Sequence, residues 1–297
     1  MRLRIGTRGS RLALAQAREI ADALTASGVE IELVAITTAG DRGADPASDP
    51  AGVKGLFVTE IVRALDEGEV DLAVHSAKDL PAGDQDGLVI AAVPERASAL
   101  DVLVTRDGDL PPGARVGTSS IRRQAQVFRW RPDVLVKDLR GNVDTRLRKL
   151  QEGEADALIL AAAGLLRLGV VPEHAEPMSL SEMVPAPGQG CLAVQARASD
   201  GATIEALSAL DHAPSRTALE TERGLMARLG GGCALPLGAF AEPGPRGVRL
   251  LAIALSPDGS RIARTEVDGA TPEEVAELAA LDLSAGGADE ILGLVRP

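Results

Sequence analysis

Tyrosine is absent from this chain of 297 residues, and aromatic side chains make up only 1% of it. Recognition of bases by stacking on aromatic rings is thereby disfavoured, and the cores must be built from Ala, Leu, Val and Ile. Cysteine is nearly as scarce. Cys191 and Cys233 give neither a disulfide framework nor metal-ligand spacing. The longest apolar run, around Ala157 to Leu166, is too short to span a bilayer. The opening MRLRIGTRGS is charged and lacks the apolar stretch of a secretory signal. No GxxxxGK(S/T) loop is present, which counts against a nucleotide ligand. Positive charge is in deficit too: a net charge of −12 argues against a general binder of nucleic acid or membrane surfaces. A cytoplasmic, metal-free protein is the expectation.

What positive charge there is gathers in one place. Residues 111–150 carry ten basic residues against three acids, a +7 island in an acidic protein. Such a local field points to a discrete anionic small molecule. The chain length makes two or three domains the expectation. Strand-like and amphipathic runs alternate: LRIGT (3–7), a helix over 10–27, IELVAITT (31–38), a helix over 55–68, VDLAVHS (70–76), LVIAAV (88–93) and DVLVTR (101–106). The rhythm resumes with ARVGTS (114–119), a helix through Arg122–Arg129, VLVKDL (134–139), a helix from Asn142 and ADALILAAA (155–163). This alternation implies helix-covered, parallel-rich sheets. PAPGQG (185–190) breaks it before one more strand, CLAVQAR (191–197). The last hundred residues read as a small α+β domain, with a hairpin around PDG (257–259) and a capping box at TPEE (271–274). DRGADPASDPAGVKG (41–55) has no periodicity and reads as a mobile loop.

Four stretches carry chemistry. AVHSAKDLP (73–81) begins as a buried strand and then delivers His75, Ser76, Lys78 and Asp79 at its carboxyl end, where ligands bind in open α/β sheets. Lys78 favours an ionised Asp79 while burial opposes it, which suits proton transfer. A surface turn with an ordinary ion pair accounts for the same letters. GTSSIRRQ (117–124) leaves a strand and opens a helix whose first N–H groups face any anion placed there, and Arg122 and Arg123 add bidentate donors. LRGNVDTRLRK (139–149) repeats that design with Arg140, Gly141, Asn142 as N-cap and Arg146. Phosphate and carboxylate both fit it. GGGCALP (230–236) sets Cys233 in a glycine-rich loop that permits close backbone approach. These letters alone give the thiol no role.

In their joint order and spacing these stretches resemble the porphobilinogen deaminase family. RIGTRGSRLALAQ (4–16), KGLFVTE (54–60), LILAAAGLLRLG (158–169), PAPGQG and GGGCALPLG (230–238) extend the resemblance over nearly the whole chain. It implies an enzyme that joins four porphobilinogen molecules head to tail into hydroxymethylbilane, with release of ammonia, in tetrapyrrole biosynthesis. It implies a dipyrromethane cofactor, made from two substrate units and held by a thioether to Cys233. Asp79 is the implied catalytic carboxylate, stabilising positive charge on the pyrrole nitrogen once deamination leaves an electron-poor azafulvene. Lys78, Ser120, Arg123 and Arg146 are implied to bind cofactor carboxylates. Arg8, Ser10, Gln16, Arg122, Arg140 and Arg167 are implied to line the substrate side, and Lys54 and Phe57 to end the active-site lid. A chain of six pyrrole units would bring about twelve carboxylates into one cleft, which accounts for the basic island.

The implied fold is α/β: two periplasmic-binding-protein-like lobes with parallel-rich sheets plus a small α+β C-terminal domain. Residues 1–94 and 191–208 would form lobe 1, with the catalytic Asp and a lid loop at 41–55. Residues 100–184 would form lobe 2, carrying the Arg-rich cleft face, and 213–297 the cofactor-attachment domain. A monomer acting on a small-molecule substrate, without nucleic acid or membrane, is expected. Ala77 and Ala234 stand where the family more often has Met and Gln, and neither change removes a group the chemistry needs. Two other readings stay open. A non-catalytic, two-lobed anion-binding module would share the sheets and arginines but would need neither Asp79 beside Lys78 nor Cys233. A phosphate-handling transferase would want the missing P-loop.

Overall fold

The computed structural model describes residues 1–38, 55–83, 85–230 and 235–295, with the side chains of 55–57 outside the description. Strand β1 (Arg2–Arg8) runs into α1 (Arg11–Ala26). Ser10 caps that helix, its Oγ accepting the Ala13 N–H at 3.2 Å, and Ala17, Ile20 and Leu24 recur at helical spacing on the buried face. Strand β2 (Glu30–Ile36), α2 (Gly55–Asp66), β3 (Leu72–Ser76) and β4 (Leu88–Ala92) follow. The chain then crosses to β5 (Asp101–Thr105), β6 (Arg115–Gly117), α3 (Ile121–Trp130), β7 (Leu135–Lys137), α4 (Val143–Gln151), β8 (Ala157–Ala161), α5 (Ala162–Leu168) and β9 (Ala175–Pro177). It returns through β10 (Leu192–Arg197) and α6 (Gly201–Ser208). The last unit comprises α7 (Ala213–Arg228), β11 (Leu237–Gly244), β12 (Gly247–Leu255), β13 (Ile262–Gly269), α8 (Pro272–Ala285) and α9 (Ala288–Gly293).

The strands form two five-stranded sheets of matching design and one three-stranded sheet. The first runs β2-β1-β3-β10-β4 and the second β7-β6-β8-β5-β9. In each, three parallel strands meet a fourth that runs antiparallel: β10 against β3 and β4, and β5 against β8 and β9. This is the α/β pair of lobes expected, and β11-β12-β13 with α7, α8 and α9 is the α+β unit. Helix α1 covers one face of the first sheet with Ile20 and Leu24 on Leu3, Ile5 and Leu72. Helix α2 covers the other with Ile61 and Leu65 on Ala73 and Leu88. Each fully buried Leu or Ile contributes roughly 1.5–3 kcal/mol, so aliphatic cores suffice where aromatics are missing. Strand β11 departs from the expected loop-then-hairpin pattern. Its small residues and Pro243 hide the strand signal, and pairing with β12 along its whole length creates it.

The two crossings pack tightly against each other. Gly190, at φ +88°, lies where a Cβ would fall 2.4 Å from the Ala97 carbonyl oxygen. Glu222 of α7, with no solvent exposure, ties both crossings to the last unit. Its carboxylate accepts from Arg96 at 2.7 and 3.2 Å, from the Gly188 N–H at 2.6 Å and from the Ala241 N–H at 2.8 Å. Arg96 stands on the first crossing, Gly188 on the second and Ala241 on β11, so one buried carboxylate holds three segments of backbone.

Candidate active site

The carboxyl ends of β3, β6 and β8 converge on one cleft. After Ser76 the chain makes a tight turn, Ala77–Asp79, anchored by the Ala77 N–H donating to the Cys191 carbonyl at 3.0 Å. This turn aims Lys78 and Asp79 into the cleft from lobe 1. Burial pulls the Lys78 ammonium down to about 8, helped by repulsion from Arg123 and opposed by Asp79 and Asp101. Burial also pushes the Asp79 carboxyl up, against the pull of Lys78 and Arg8. His75, one strand residue earlier, is driven by burial down to about 4 and is neutral at pH 7.

Lobe 2 contributes cations. Ser120 is the N-cap of α3 and Asn142 that of α4, yet neither side chain makes a cap hydrogen bond. Asn142 thus holds the N-cap position without the expected capping contact, and the first-turn N–H groups keep their capacity for an anion. Arg146 donates Nη2 to the Ser119 Oγ at 3.2 Å, while its Nε is buried with no partner. Burial and the neighbouring Arg123 lower its guanidinium to about 10. A buried guanidinium N–H without an acceptor is a site that a carboxylate completes.

Asp101 organises this basic face. It is fully buried and lies 2.8 Å from Arg122 and 2.7 Å from Arg123. Gln189 Nε2 adds a third donor at 2.9 Å, and its Oε1 accepts from Lys78 at 3.4 Å. Burial alone would raise the Asp101 carboxyl, but the two guanidiniums outweigh it and hold the group far below the usual carboxylate range. One buried carboxylate between two guanidiniums leaves the cluster with net positive charge.

Three neighbouring cavities share these residues. The largest of the three, about 240 Å³, is lined by Lys78, Asp79, Ser120, Arg122, Arg123 and Arg146. Met226, Leu235 and Leu237, which lie on either side of Cys233 in the sequence, line it as well. The second, about 190 Å³, holds Arg8, Ser10, Gln16 and His75, with Asp79 and Arg146 lining it as well. The third, about 110 Å³, brings Arg167 together with Lys78, Arg123, Arg146 and Cys191. Asp79 and Arg146 therefore stand on the boundary between the first two.

Other residues singled out by the sequence have further partners or lie outside the cavities. Arg122, expected on the substrate side, lines the first cavity and is committed to Asp101 and, at 2.6 Å, to the Val184 carbonyl. Ser10 serves as the α1 cap, and Gln16 donates to the Ser76 Oγ at 2.8 Å. Arg140 is exposed beside Asp138 at 3.1 Å. Cys233, Lys54 and the loop before Gly55 lie outside the described residues, and Phe57 is placed on α2 without a described side chain. Cys191 is buried, its thiol pushed by burial up to about 12, which leaves it unreactive at neutral pH. Asp101, Ser119 and Gln189 were not foreseen. The one signal was an acid opening an apolar strand, in DVLVTR. Among the described residues no cluster of metal-ligating side chains occurs, and no helix is long and apolar enough to cross a membrane.

Comparison with known proteins identifies the family. The family model described as porphobilinogen deaminase, dipyromethane cofactor binding domain, matches residues 3–205, and that of the porphobilinogen deaminase C-terminal domain matches 217–285. Porphobilinogen deaminase of Rubrobacter xylanophilus is 46% identical over 99% of this chain and 98% of its own. The enzyme of Desulforudis audaxviator is 46% identical over 98% and 97%, and that of Brevibacillus brevis 44% identical over 98% and 97%. Among solved structures, a periplasmic substrate-binding protein of an ABC transporter from Coxiella burnetii is similar over 72% of this chain and 93% of its own, at 14% identity and a TM-score of 0.43.

Proposed function

The chain belongs to the porphobilinogen deaminase family, and from that premise we propose how its residues divide the work. The reaction condenses four porphobilinogen molecules head to tail into hydroxymethylbilane, using a dipyrromethane cofactor. Each step breaks the bond from an aminomethyl carbon to nitrogen, forms a bond from that carbon to a ring carbon of the neighbouring pyrrole, and releases ammonia. When bound, the dipyrromethane supplies the terminal pyrrole ring at which growth begins.

Asp79 is the catalytic carboxylate in this reading. Its position on the boundary of the two larger cavities carries the proposal. An anion there stabilises the positive charge that spreads over a pyrrole ring as ammonia departs, and low local polarity strengthens the effect. Lys78, Ser120, Arg123 and Arg146 hold cofactor carboxylates, supported by the buried, partnerless Nε of Arg146. Asp101 fixes the planes of both Arg123 and Arg122, the latter on the substrate side. Arg8, Ser10 and Gln16 face the incoming unit, and Arg140 and Arg167 serve the growing chain. Cys233 carries the thioether, and Lys54 and Phe57 belong to the lid. We assign lobe 1 to residues 1–94 and 191–208, lobe 2 to 100–184 and the attachment domain to 213–297, in keeping with the sheet in which each strand lies. A cytoplasmic monomer completes the reading, and sizing chromatography tests its oligomeric part.

Intact mass tests the core of the proposal. The purified protein should exceed the chain mass by two deaminated porphobilinogen units, and Cys233→Ala should not. Equal excess in both proteins would overturn the attachment site. A bare chain that gains no mass on incubation with porphobilinogen would overturn the activity.

A further inference from the structure

Among the described residues, two ion pairs join helix α1 to lobe 2. Arg11 reaches Asp144 of α4 at 2.8 Å, and Glu19, eight positions further along, meets Arg167 of α5 at 2.9 Å. The first pair is open to solvent on both sides. The second is asymmetric: the Arg167 side chain is only 7% exposed, whereas Glu19 is 43% exposed. Arg167 also donates Nη2 to the Gly190 carbonyl at 3.2 Å, on the returning crossing. It thus links α1, α5 and the crossing while lining the cavity that holds Lys78, Arg123 and Arg146.

The Nε and Nη2 groups of Arg167, the edge a carboxylate would grip with two bonds, are therefore taken by Glu19 and Gly190. A second carboxylate arriving from the cavity side would be repelled by Glu19 and would compete for the same edge. We propose that Glu19 is a stand-in for a chain carboxylate, holding Arg167 in place and the two lobes together until a carboxylate of the growing pyrrole chain displaces it. Glu19 is then a positioning residue, and chain growth itself unfastens α1 from α5. The inference rests on the reading that Arg167 serves the growing chain. A ligand shifts lobe positions only by its differential affinity for the two arrangements, and displacement of Glu19 supplies that difference. The pair is open to solvent on its Glu19 side and so weak enough to exchange, and release should change the opening equilibrium by about two- to fivefold.

The test uses cofactor-loaded enzyme given one to four equivalents of porphobilinogen. Intact mass reports the units added, and amide hydrogen exchange over α1 and α5 reports the seam between lobes. In the wild type, exchange there should rise about two- to fivefold at one particular unit. In Glu19→Gln it should be raised before any unit is added and show no later step. Arg11→Gln should raise the starting level but keep the step. A step in Glu19→Gln at the same unit as wild type would overturn the proposal. So would a wild type that adds all four units with no step, although Arg167 could still bind the chain. Normal addition of all four units by Arg167→Leu would remove the underlying reading instead.

Discussion

Replacing Asp101 with Asn keeps the shape of the side chain and removes the one anion between two buried guanidiniums. Asp101 is 0% exposed, Arg122 4% and Arg123 6%, so water can do little to shield the cations left behind. Breaking a buried pair by removing one partner costs about 3–5 kcal/mol. The two pairs share a carboxylate and are not additive, so we take that range for the whole cluster. Against a total stability of about 5–15 kcal/mol this is a large fraction. Urea unfolding can be followed by the fluorescence of Trp130, the single tryptophan, which sits on α3 with both arginines. With a slope of about 2–3 kcal/mol per molar, the midpoint should fall by about 1–2.5 M. The pH dependence gives a second handle. Asp101 has a depressed folded-state pKa, so its contribution is complete above the unfolded value and lost as pH falls toward the folded one. The gap between wild type and Asp101→Asn should therefore hold from pH 7 to about pH 4, then shrink by about 1.4 kcal/mol per pH unit. A loss below about 1 kcal/mol, or a gap unchanged between pH 6 and pH 3, would refute the reasoning.

Four more outcomes follow from the site and the crossings beside it. Asp79→Ala should cut turnover by at least about 100-fold while leaving the Trp130 unfolding curve in place, and undiminished turnover would remove Asp79 from the mechanism. Because the Asp79 carboxyl is raised, the acid limb of the wild-type rate profile should lie above the pH at which a free aspartate titrates. Lys78 loses its proton as pH passes about 8, so cofactor loading followed by mass should slow above that point, and Lys78→Arg should abolish this alkaline limb. An alkaline limb identical in the two proteins would assign it to another group. Gly190→Ala puts a methyl 2.4 Å from the Ala97 oxygen and should cost at least about 1–3 kcal/mol. Calorimetry should show this as a lowered melting temperature, and an unchanged one would mean that the crossings can separate at no cost.

Much of the lobe architecture was legible because it is local. Periodicity gives α1, β3 and the β6–α3 junction without knowledge of partners, and motif spacing marks Lys78, Asp79, Arg123 and Arg146. Sheet order was not legible, because nothing in LAVHS states that its neighbour comes from residues 192–196. Asp101 was missed for the same reason. Its partners, Arg122, Arg123 and Gln189, come from later elements, the last of them 88 positions away, and an acid at the start of a strand reads as an exposed edge. Glu222 sits mid-helix in an unremarkable charged run, and only the meeting of two crossings with β11 makes it a tie. Ser10 and Asn142 show the limit of residue-type arguments: both occupy N-cap positions, yet only Ser10 makes the cap bond.

The place of β10 has a consequence for synthesis and folding. It separates β3 from β4 in the first sheet, pairing with both, although about a hundred residues divide it from either in the sequence. The second sheet is made of one uninterrupted stretch, β5 to β9. Lobe 2 can therefore close as soon as it leaves the ribosome, while lobe 1, although synthesised first, must wait with β3 and β4 unjoined until residue 197 emerges. Such a late, long-range pairing is intrinsically slow. A chain cut short after β9 would carry a folded second lobe and a first lobe with bare strand edges, the form most prone to aggregate.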